Sequence, residues 1–408
     1  MSWPTTSLGE VVDFRNGLNY SRSNFGTGLK VISVGDFGDR LHPDLDSLGE
    51  INPDGVAKAG DCLVDGDMLF VRSNGNRDLV GRVMLMQGIG DQLVGYSGFC
   101  IRGRLRDSFN NNPAFFVYQI RDAAVRQRLT AGGVGASIAN VSQKTLSNLV
   151  VYKPRREIQD VIVSAISVYD DLIATNRRRI SLLEEAARRV YREWFVHLRF
   201  PGHEDVKVES GVPEGWSKKT LNELADISMG QSPESRFYNK DGEGLPFHQG
   251  VTGFGERFVN HEQWTTQATR YAQAGDILCS VRAPVGRLNI TRDRIAIGRG
   301  LSSMRSRLGF QSLLLHQLKN LFVAEDIIGG GAIFASVGKK ELFGQVLLQP
   351  SAEIAEQFNV LVSTMDSQID TLEMQNRSLA AGRDALLPKL MSGRLDVSGI
   401  PLPERDAA

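Results

Sequence analysis

Cysteine is nearly missing from this 408-residue chain: Cys62, Cys100 and Cys279 stand far apart and form no C-x-x-C pair. So few thiols, odd in number, exclude a disulfide framework and a cysteine-based zinc site, and they suit a reducing cytosol. Histidine is just as sparse, with six residues too dispersed to suggest a metal set. No apolar run approaches the ~20 residues needed to cross a bilayer. The opening Met1 to Glu10 has neither a basic start nor an apolar core, so no secretory leader is expected. These absences predict a cytoplasmic protein without membrane contact.

Net charge is missing too: 47 basic groups balance 47 acidic ones, so bulk positive charge is no argument for a nucleic-acid partner. A bias lies within the bases, of which only 12 are Lys. The Arg excess suits phosphates and guanine edges, and equally suits surface ion pairs.

Catalytic motifs fail one by one. Asn112-Pro113-Ala114-Phe115 lacks the second Pro of the amino-methyltransferase pattern N-P-P-[YF], and no Gly-rich cofactor loop precedes it. It reads better as a helix start. Gly135-Ala136-Ser137-Ile138-Ala139 lacks the final Gly of a nucleophile elbow. Gly329 to Gly331 with Gly338-Lys339-Lys340 has the wrong spacing for a phosphate loop, and His261-Glu262 lacks the second His of a zinc helix. The chain is expected to be no enzyme, with no cofactor or metal of its own.

What the chain does contain is itself, twice. Trp3, Leu8, Glu10, Asp13 and Gly17 return as Trp216, Leu221, Glu223, Asp226 and Gly230. Gly66-Asp67-Met68-Leu69 returns as Gly275-Asp276-Ile277-Leu278, and Val80-Gly81-Arg82 as Val285-Gly286-Arg287. Arg102 and Arg104 align with Arg305 and Arg307, and Lys144-Thr145-Leu146 with Lys340-Glu341-Leu342. Repeats of this kind mark a duplicated structural unit. The copies are rich in Gly and in short apolar runs such as Val31 to Val34 and Met68 to Val71, which read as strands and turns. Phe115 to Leu129 and Leu313 to Val323 read as helices. Compact α/β or α+β domains are expected.

Each copy ends in a long helical pattern. Ile162, Ile166, Tyr169, Ile173, Asn176, Ile180, Leu183, Ala187, Val190 and Trp194 alternate at spacings of 4 and 3. Phe358, Val362, Met365, Ile369, Leu372, Asn376, Leu379, Arg383, Leu386 and Leu390 do the same, which is the signature of a coiled-coil seam. Pro388 is expected to kink or end the second helix near Leu387. Asn176 falls at a d position and Asn376 at an a position, so antiparallel pairing sets them face to face. Trp194 then meets Phe358, Leu183 meets Ile369 and Ile166 meets Leu386. A slip of register would bury an amide against hydrocarbon. The expected fold is α+β: two similar globular domains, 1–154 and 201–350, separated by two long antiparallel helices, 155–200 and 351–395, with pseudo-twofold symmetry and a tail from 396.

This order resembles the specificity subunits of type I restriction–modification enzymes across nearly the whole chain. The stretch Tyr191-Arg192-Glu193-Trp194-Phe195-Val196-His197-Leu198-Arg199-Phe200-Pro201-Gly202 is similar to that family's central segment. Pro213-Glu214-Gly215-Trp216 resembles the opening of a target-recognition domain, and Leu386-Leu387-Pro388-Lys389-Leu390-Met391-Ser392-Gly393-Arg394-Leu395 the terminal signature. The helix-opening pattern is only partly kept: Glu353-Ile354-Ala355-Glu356-Gln357 is close to it, whereas Glu157-Ile158-Gln159-Asp160 departs from it. The resemblance implies a non-catalytic reader of double-stranded DNA with a bipartite, asymmetric target. It also implies docking of two methyltransferase (modification) subunits and, through them, restriction subunits. The alternatives are a coiled-coil adaptor, or the DNA-binding subunit of a methyltransferase system that has no restriction partner.

Candidate DNA contacts come from loops present in both copies. In the first they are Asn19, Tyr20, Arg22, Arg72, Asn74, Asn76, Arg77, Ser137 and Lys144. In the second they are Gln231, Arg236, His248, Gln249, Arg282, Arg287, Lys339 and Lys340. Arg, Asn and Gln suit base edges, and Gly-rich loops with Lys suit phosphates. Arg72 is placed opposite Arg282. Arg102, Arg104 and Arg106 share one strand face, readable as a phosphate track or as an ion-pair face.

Overall fold

The structure is a computed structural model and describes residues 3–38, 40–130, 139–324, 336–395 and 397. The chain divides into two compact units, Met1–Arg178 with Leu372–Ala408, and Arg179–Thr371. Both mix helix and strand.

In the first unit a four-stranded antiparallel sheet holds β1 (Val12–Asn16), β2 (Met68–Val71), β3 (Val83–Leu85) and β4 (Cys100–Leu105), in the order β1-β4-β2-β3. Strand β2 is apolar throughout because it is covered on both faces. Met68 and Phe70 face Phe115, Phe116 and Ile120 of helix α1 (Pro113–Arg121). Leu69 and Val71 face Ile32, Val94 and Tyr96 of a second sheet. This is the period of two expected of a strand. Asn112 caps α1 by accepting the Ala114 N–H, with Pro113 in its first turn, so the N-P-A-F motif is a helix start.

The second unit repeats this frame. Strands β5 (Ala225–Met229), β6 (Ile277–Ser280), β7 (Leu288–Ile290) and β8 (Leu301–Ser306) follow the matching order β5-β8-β6-β7. Ile277 and Cys279 face Leu314, Leu315 and Leu318 of helix α3 (Gln311–Ala324), while Leu278 faces Ile295 and Ile297.

The correspondence extends to single hydrogen bonds. The N–H of Gly17 donates to the Cys100 carbonyl at 3.2 Å, and that of Gly230 to the Leu301 carbonyl at 2.9 Å. Gly81 donates to Val71 and Gly286 to Ser280; Val141 donates to Arg72 and Val337 to Val281. Asp67, fully buried, accepts two bonds from Arg104 and one from the Val64 N–H. Asp276 accepts from Arg305 and from the Gln273 N–H in the same way. Arg106 pairs with Asp13 and Arg307 with Asp226.

These bonds correct the sequence alignment. Arg104 is equivalent to Arg305 and Arg106 to Arg307, two residues away from the expected match, because the aspartates they bind fix the register. Arg72 likewise sits opposite Val281, so Arg282 occupies the place of Ser73. The Arg102–Arg106 strand is an ion-pair face: Arg104 and Arg106 bind aspartates, and the buried Arg102 donates to the Gly60 carbonyl at 3.2 Å.

Two long helices complete the units, α2 (Arg156–Tyr191) and α4 (Ala352–Met391), and the boundary between units falls within both. Helix α4 does not end at Leu387; it continues through Pro388 for one more turn. Leu387, Leu390 and Met391 are buried in the first unit's core, and the Trp3 indole N–H donates to the Leu390 carbonyl. That packing outweighs the backbone bond a proline forfeits. The helix expected over Phe115–Leu129 is instead two, Pro113–Arg121 and Ala123–Thr130, because the Asp122 carboxylate accepts the N–H groups of Ala124 and Val125 and starts a new turn. Val34 lies beyond the strand Phe25–Ile32, in a 3-10 turn.

Gly17 and Gly230 have no room for a side chain, since a Cβ on either would lie 2.1 or 2.2 Å from the carbonyl oxygen of Ser97 or Gly298. Gly17→Ala and Gly230→Ala should each cost about 2–4 kcal/mol, read as a fall in thermal unfolding temperature. Gly49→Ala, with open space around it, should be nearly neutral. Equal tolerance at all three positions would contradict the shared frame.

Candidate nucleic-acid interface

In the first unit the loop after Gly17 meets a tight turn, Ser97 to Cys100, closed by the Cys100 N–H donating to the Ser97 carbonyl at 2.8 Å. Asn19 is exposed, and its Oδ1 fills the space a Cβ on Gly98 would need. The Arg72 guanidinium donates to the Gly98 carbonyl at 3.4 Å. Asn19 and Arg72 are therefore brought to one turn. Tyr20 lies beside the exposed Phe25, with ring centroids 6.5 Å apart, and Arg22 is exposed at the start of the next turn. The side chains of Asn74 and Asn76 accept the backbone N–H groups of Asn76 and Asp78, so their oxygens hold the shape of the loop that carries the exposed Arg77. Lys144 is exposed on the short helix Gln143–Ser147. Ser137 and the glycine-rich stretches 132–137 and 329–332 lie outside the described residues.

The second unit builds the same corner with other side chains. Its turn runs from Gly298 to Leu301 and is closed by the Leu301 N–H donating to the Gly298 carbonyl at 3.0 Å. Ser232 Oγ donates to Gln249 Oε1 at 2.8 Å and accepts the Arg299 N–H at 3.1 Å. Gln231 and Gln249 are exposed beside it. Arg236 is exposed, paired with Glu234 and lying over the Phe237 ring. Arg282, Arg287, Lys339 and Lys340 are exposed, with Lys339 over the Phe343 ring.

His248 departs from the expectation of a base contact. It is 3% exposed, and its Nε2 lies 2.9 Å from His261 Nδ1, whose Nε2 in turn meets Asp293 at 3.0 Å. Burial, then the His261 charge, pushes His248 down to about 4. It is an interior residue that anchors the strand end before Gln249.

Sequence reasoning missed Phe99 and Arg299, the exposed side chains at the two equivalent turns. The turn sequences Ser97-Gly98-Phe99-Cys100 and Gly298-Arg299-Gly300-Leu301 share no residue in register. Only their hydrogen bonds reveal the equivalence.

The helical seam is buried or half-buried at every position. Ile166, Ile173, Asn176, Ile180, Phe358 and Ile369 are buried; Leu183, Trp194, Leu372, Asn376, Leu379 and Leu386 are half-buried. Within the first unit, Asn176 Nδ2 donates to Asn376 Oδ1 at 3.1 Å, Arg383 pairs with Asp170, and Ile166 and Leu386 share one core. Residue numbers rise on one helix as they fall on the other, so these segments are antiparallel. Within the second unit the Trp194 and Phe358 rings lie 5.8 Å apart, and the buried Arg257 binds both Glu184 and Asp366. The Tyr191–Gly202 segment contributes Tyr191, Phe195 and Phe200, which cluster with Trp216 and Phe358. His316 lies against Tyr191 and Phe358, and burial pushes it down to about 3.

Among the described residues no group of three or more His, Cys, Asp or Glu could hold a metal, and no helix is long and apolar enough to cross a membrane.

Residues 2–185 match the family model described as the type I restriction modification DNA specificity domain. Along nearly its whole length the chain is similar to specificity subunits of type I restriction–modification enzymes. The MjaX specificity subunit of Methanocaldococcus jannaschii is 27% identical, with 97% of this chain and 94% of the relative aligned. The HindI specificity subunit of Haemophilus influenzae is 20% identical over 66% of this chain and 74% of its own. The S subunit from M. genitalium shares the fold at a TM-score of 0.56 and 14% identity, over 96% of each chain.

Two expectations follow. Asn176→Leu alone leaves the Asn376 amide without its partner and should cost about 1–3 kcal/mol. The double replacement Asn176→Leu with Asn376→Leu should recover most of that loss in thermal unfolding, and additive losses would contradict the pairing. His316 and His248 stay neutral when folded, whereas the unfolded chain takes up protons below about pH 6.5. Their contribution is thus complete above that pH and falls as the pH drops toward 4, by up to about 1.4 kcal/mol per pH unit for each residue. His316→Phe should show a smaller fall in urea midpoint between pH 7 and pH 5 than the unaltered chain. An identical fall would refute the assignment.

Proposed function

We propose that the two globular parts, 1–154 and 201–350, are separate reading heads for the two halves of a bipartite, asymmetric DNA target. In this reading the helices 155–200 and 351–395 form an antiparallel spacer that fixes the distance between half-sites, with approximate twofold symmetry. The carrying observation is that the two frames share their central sheet order, backbone bonds and buried aspartate–arginine pairs while the side chains at their loop tips differ. A shared frame supports presentation to the same kind of surface, one duplex groove, and unlike tips support unlike base preferences. The exposed Asn19, Arg22, Asn76, Arg77 and Lys144 and the half-buried Arg72 and Asn74 of one head, with the exposed Gln231, Arg236, Gln249, Arg282, Arg287, Lys339 and Lys340 of the other, supply the donors and positive charge that such a surface needs.

The partners in this reading are double-stranded DNA, two modification subunits docked on the helices, and restriction subunits joined through them. A coiled-coil adaptor joining separate chains is disfavoured by the Asn176–Asn376 bond, which closes within one chain.

Co-expression of this chain with a modification subunit in a methylation-free host should place methyladenine at a two-part motif, and neither protein alone should do so. Methylation by this chain alone would refute the reading. Removing one heptad from each helix should shorten the gap between half-sites by about 3 base pairs, from ~1.5 Å per helical residue and ~3.4 Å per base pair. An unchanged gap in the methylation map would overturn the spacer role.

A further inference from the structure

The two equivalent turns, Ser97 to Cys100 and Gly298 to Leu301, differ in a constrained way. Each has two central residues, and in each one of the two is glycine: Gly98 before Phe99, and Gly300 after Arg299. Both glycines are closely approached, Gly300 by backbone and Gly98 by the Asn19 side chain. A Cβ on Gly98 would fall 2.4 Å from Asn19 Oδ1, and one on Gly300 would fall 2.4 Å from the Gln249 carbonyl. As built, each turn therefore presents a single side chain. The turn backbone is pinned alike in both heads, by the Arg72 N–H donating to the Phe99 carbonyl at 2.8 Å and the Val281 N–H to the Gly300 carbonyl at 2.9 Å.

The side chains presented are opposite in chemistry. Phe99 is 63% exposed, beside the exposed Asn19 and the guanidinium of Arg72. Arg299 is exposed, and its guanidinium has no ion-pair partner among the described residues. It differs in this from Arg104, Arg106, Arg305 and Arg307 on the adjoining strands, all bound to aspartates.

Resting on the reading of two DNA-reading heads, we propose that this turn is the base-discriminating tip of each head. Phe99 reads a thymine in one half-site, and Arg299 reads a guanine in the other. A phenyl ring offers neither donor nor acceptor, so among the base edges of the major groove it selects the thymine methyl group. A guanidinium presents parallel N–H donors that match guanine O6 and N7. Fixing the backbone on both sides of the tip removes the ordering cost that a mobile loop would incur on binding.

The test uses the full-length chain assembled with its modification subunits, with the motif read from methyladenine maps. Phe99→Ala should make one thymine position degenerate, and Arg299→Gln one guanine position. The two positions should fall in opposite half-sites, each variant leaving the other half-site unaltered. On a duplex carrying the mapped motif, deoxyuridine at that thymine should weaken binding of the unaltered complex about tenfold and leave the Phe99→Ala complex unaffected. Replacing that guanine by 7-deazaguanine should do the same for the unaltered complex and leave Arg299→Gln unaffected. Phe99→Leu, still apolar, should keep the thymine preference. Maps unchanged in both variants, changes confined to one half-site, or equal sensitivity of Phe99→Ala to deoxyuridine would each overturn the proposal while leaving the two-headed reading intact. Failure of the unaltered complex to yield any two-part motif would overturn that reading, and this proposal with it.

Discussion

The structure of each unit depends on one buried carboxylate and the guanidinium that reaches it. Asp67 and Asp276 each follow a glycine with positive φ, Gly66 and Gly275, so the chain turns and places the carboxylate beneath the sheet at the start of a central strand. There the aspartate accepts the turn's own N–H and the arginine of the neighbouring strand, Arg104 or Arg305. A carboxylate out of water is costly unless it is paired and hydrogen-bonded. The pair thereby selects one strand order and one register from those that apolar packing alone would allow. Everything at the far end of those strands, including the turn carrying Phe99 or Arg299, inherits its position from this register.

The same pair marks how far the sequence could be read. Gly-Asp-x-Leu and Val-Gly-Arg are short and local and keep their internal spacing, so their equivalence was visible from the letters and carried the duplicated fold with it. The asparagines at Asn176 and Asn376 were legible for a similar reason: a lone polar residue in an apolar seam permits few partners. The arginines were displaced by two because loops of unequal length separate them from the motifs, and what sets their register is an aspartate on another strand. Asp122 hid a helix break, since an acid inside an apolar helical pattern looks like a surface residue until its carboxylate accepts the next N–H groups. His248 looked available because burial cannot be seen in a strand-end histidine when its partners, His261 and Asp293, are 13 and 45 residues away.

The tips were illegible for a different reason. Each of these turns holds a glycine at one of its two central positions and leaves the other side chain to whatever the turn faces. Gly98-Phe99 and Arg299-Gly300 satisfy that rule in opposite order, so no letter matches although the geometry does. Exposed positions tolerate substitution at a cost usually within about 0.5 kcal/mol, whereas the frame bonds beneath them do not. In the proposed reading, stability and base preference are thus carried by different residues only a few positions apart.

That separation has a consequence for how unlike the two heads can become. Each frame is closed by contacts within its own unit: Asp67 with Arg104 in one, Asp276 with Arg305 in the other. A change at one tip therefore passes no strain to the other head through these bonds. Sites without shared partners combine nearly additively, so in the proposed reading the discrimination of two independent heads multiplies rather than averages. An asymmetric target then needs no asymmetric scaffold. It needs one frame built twice, and two different side chains placed in the single opening that each frame leaves.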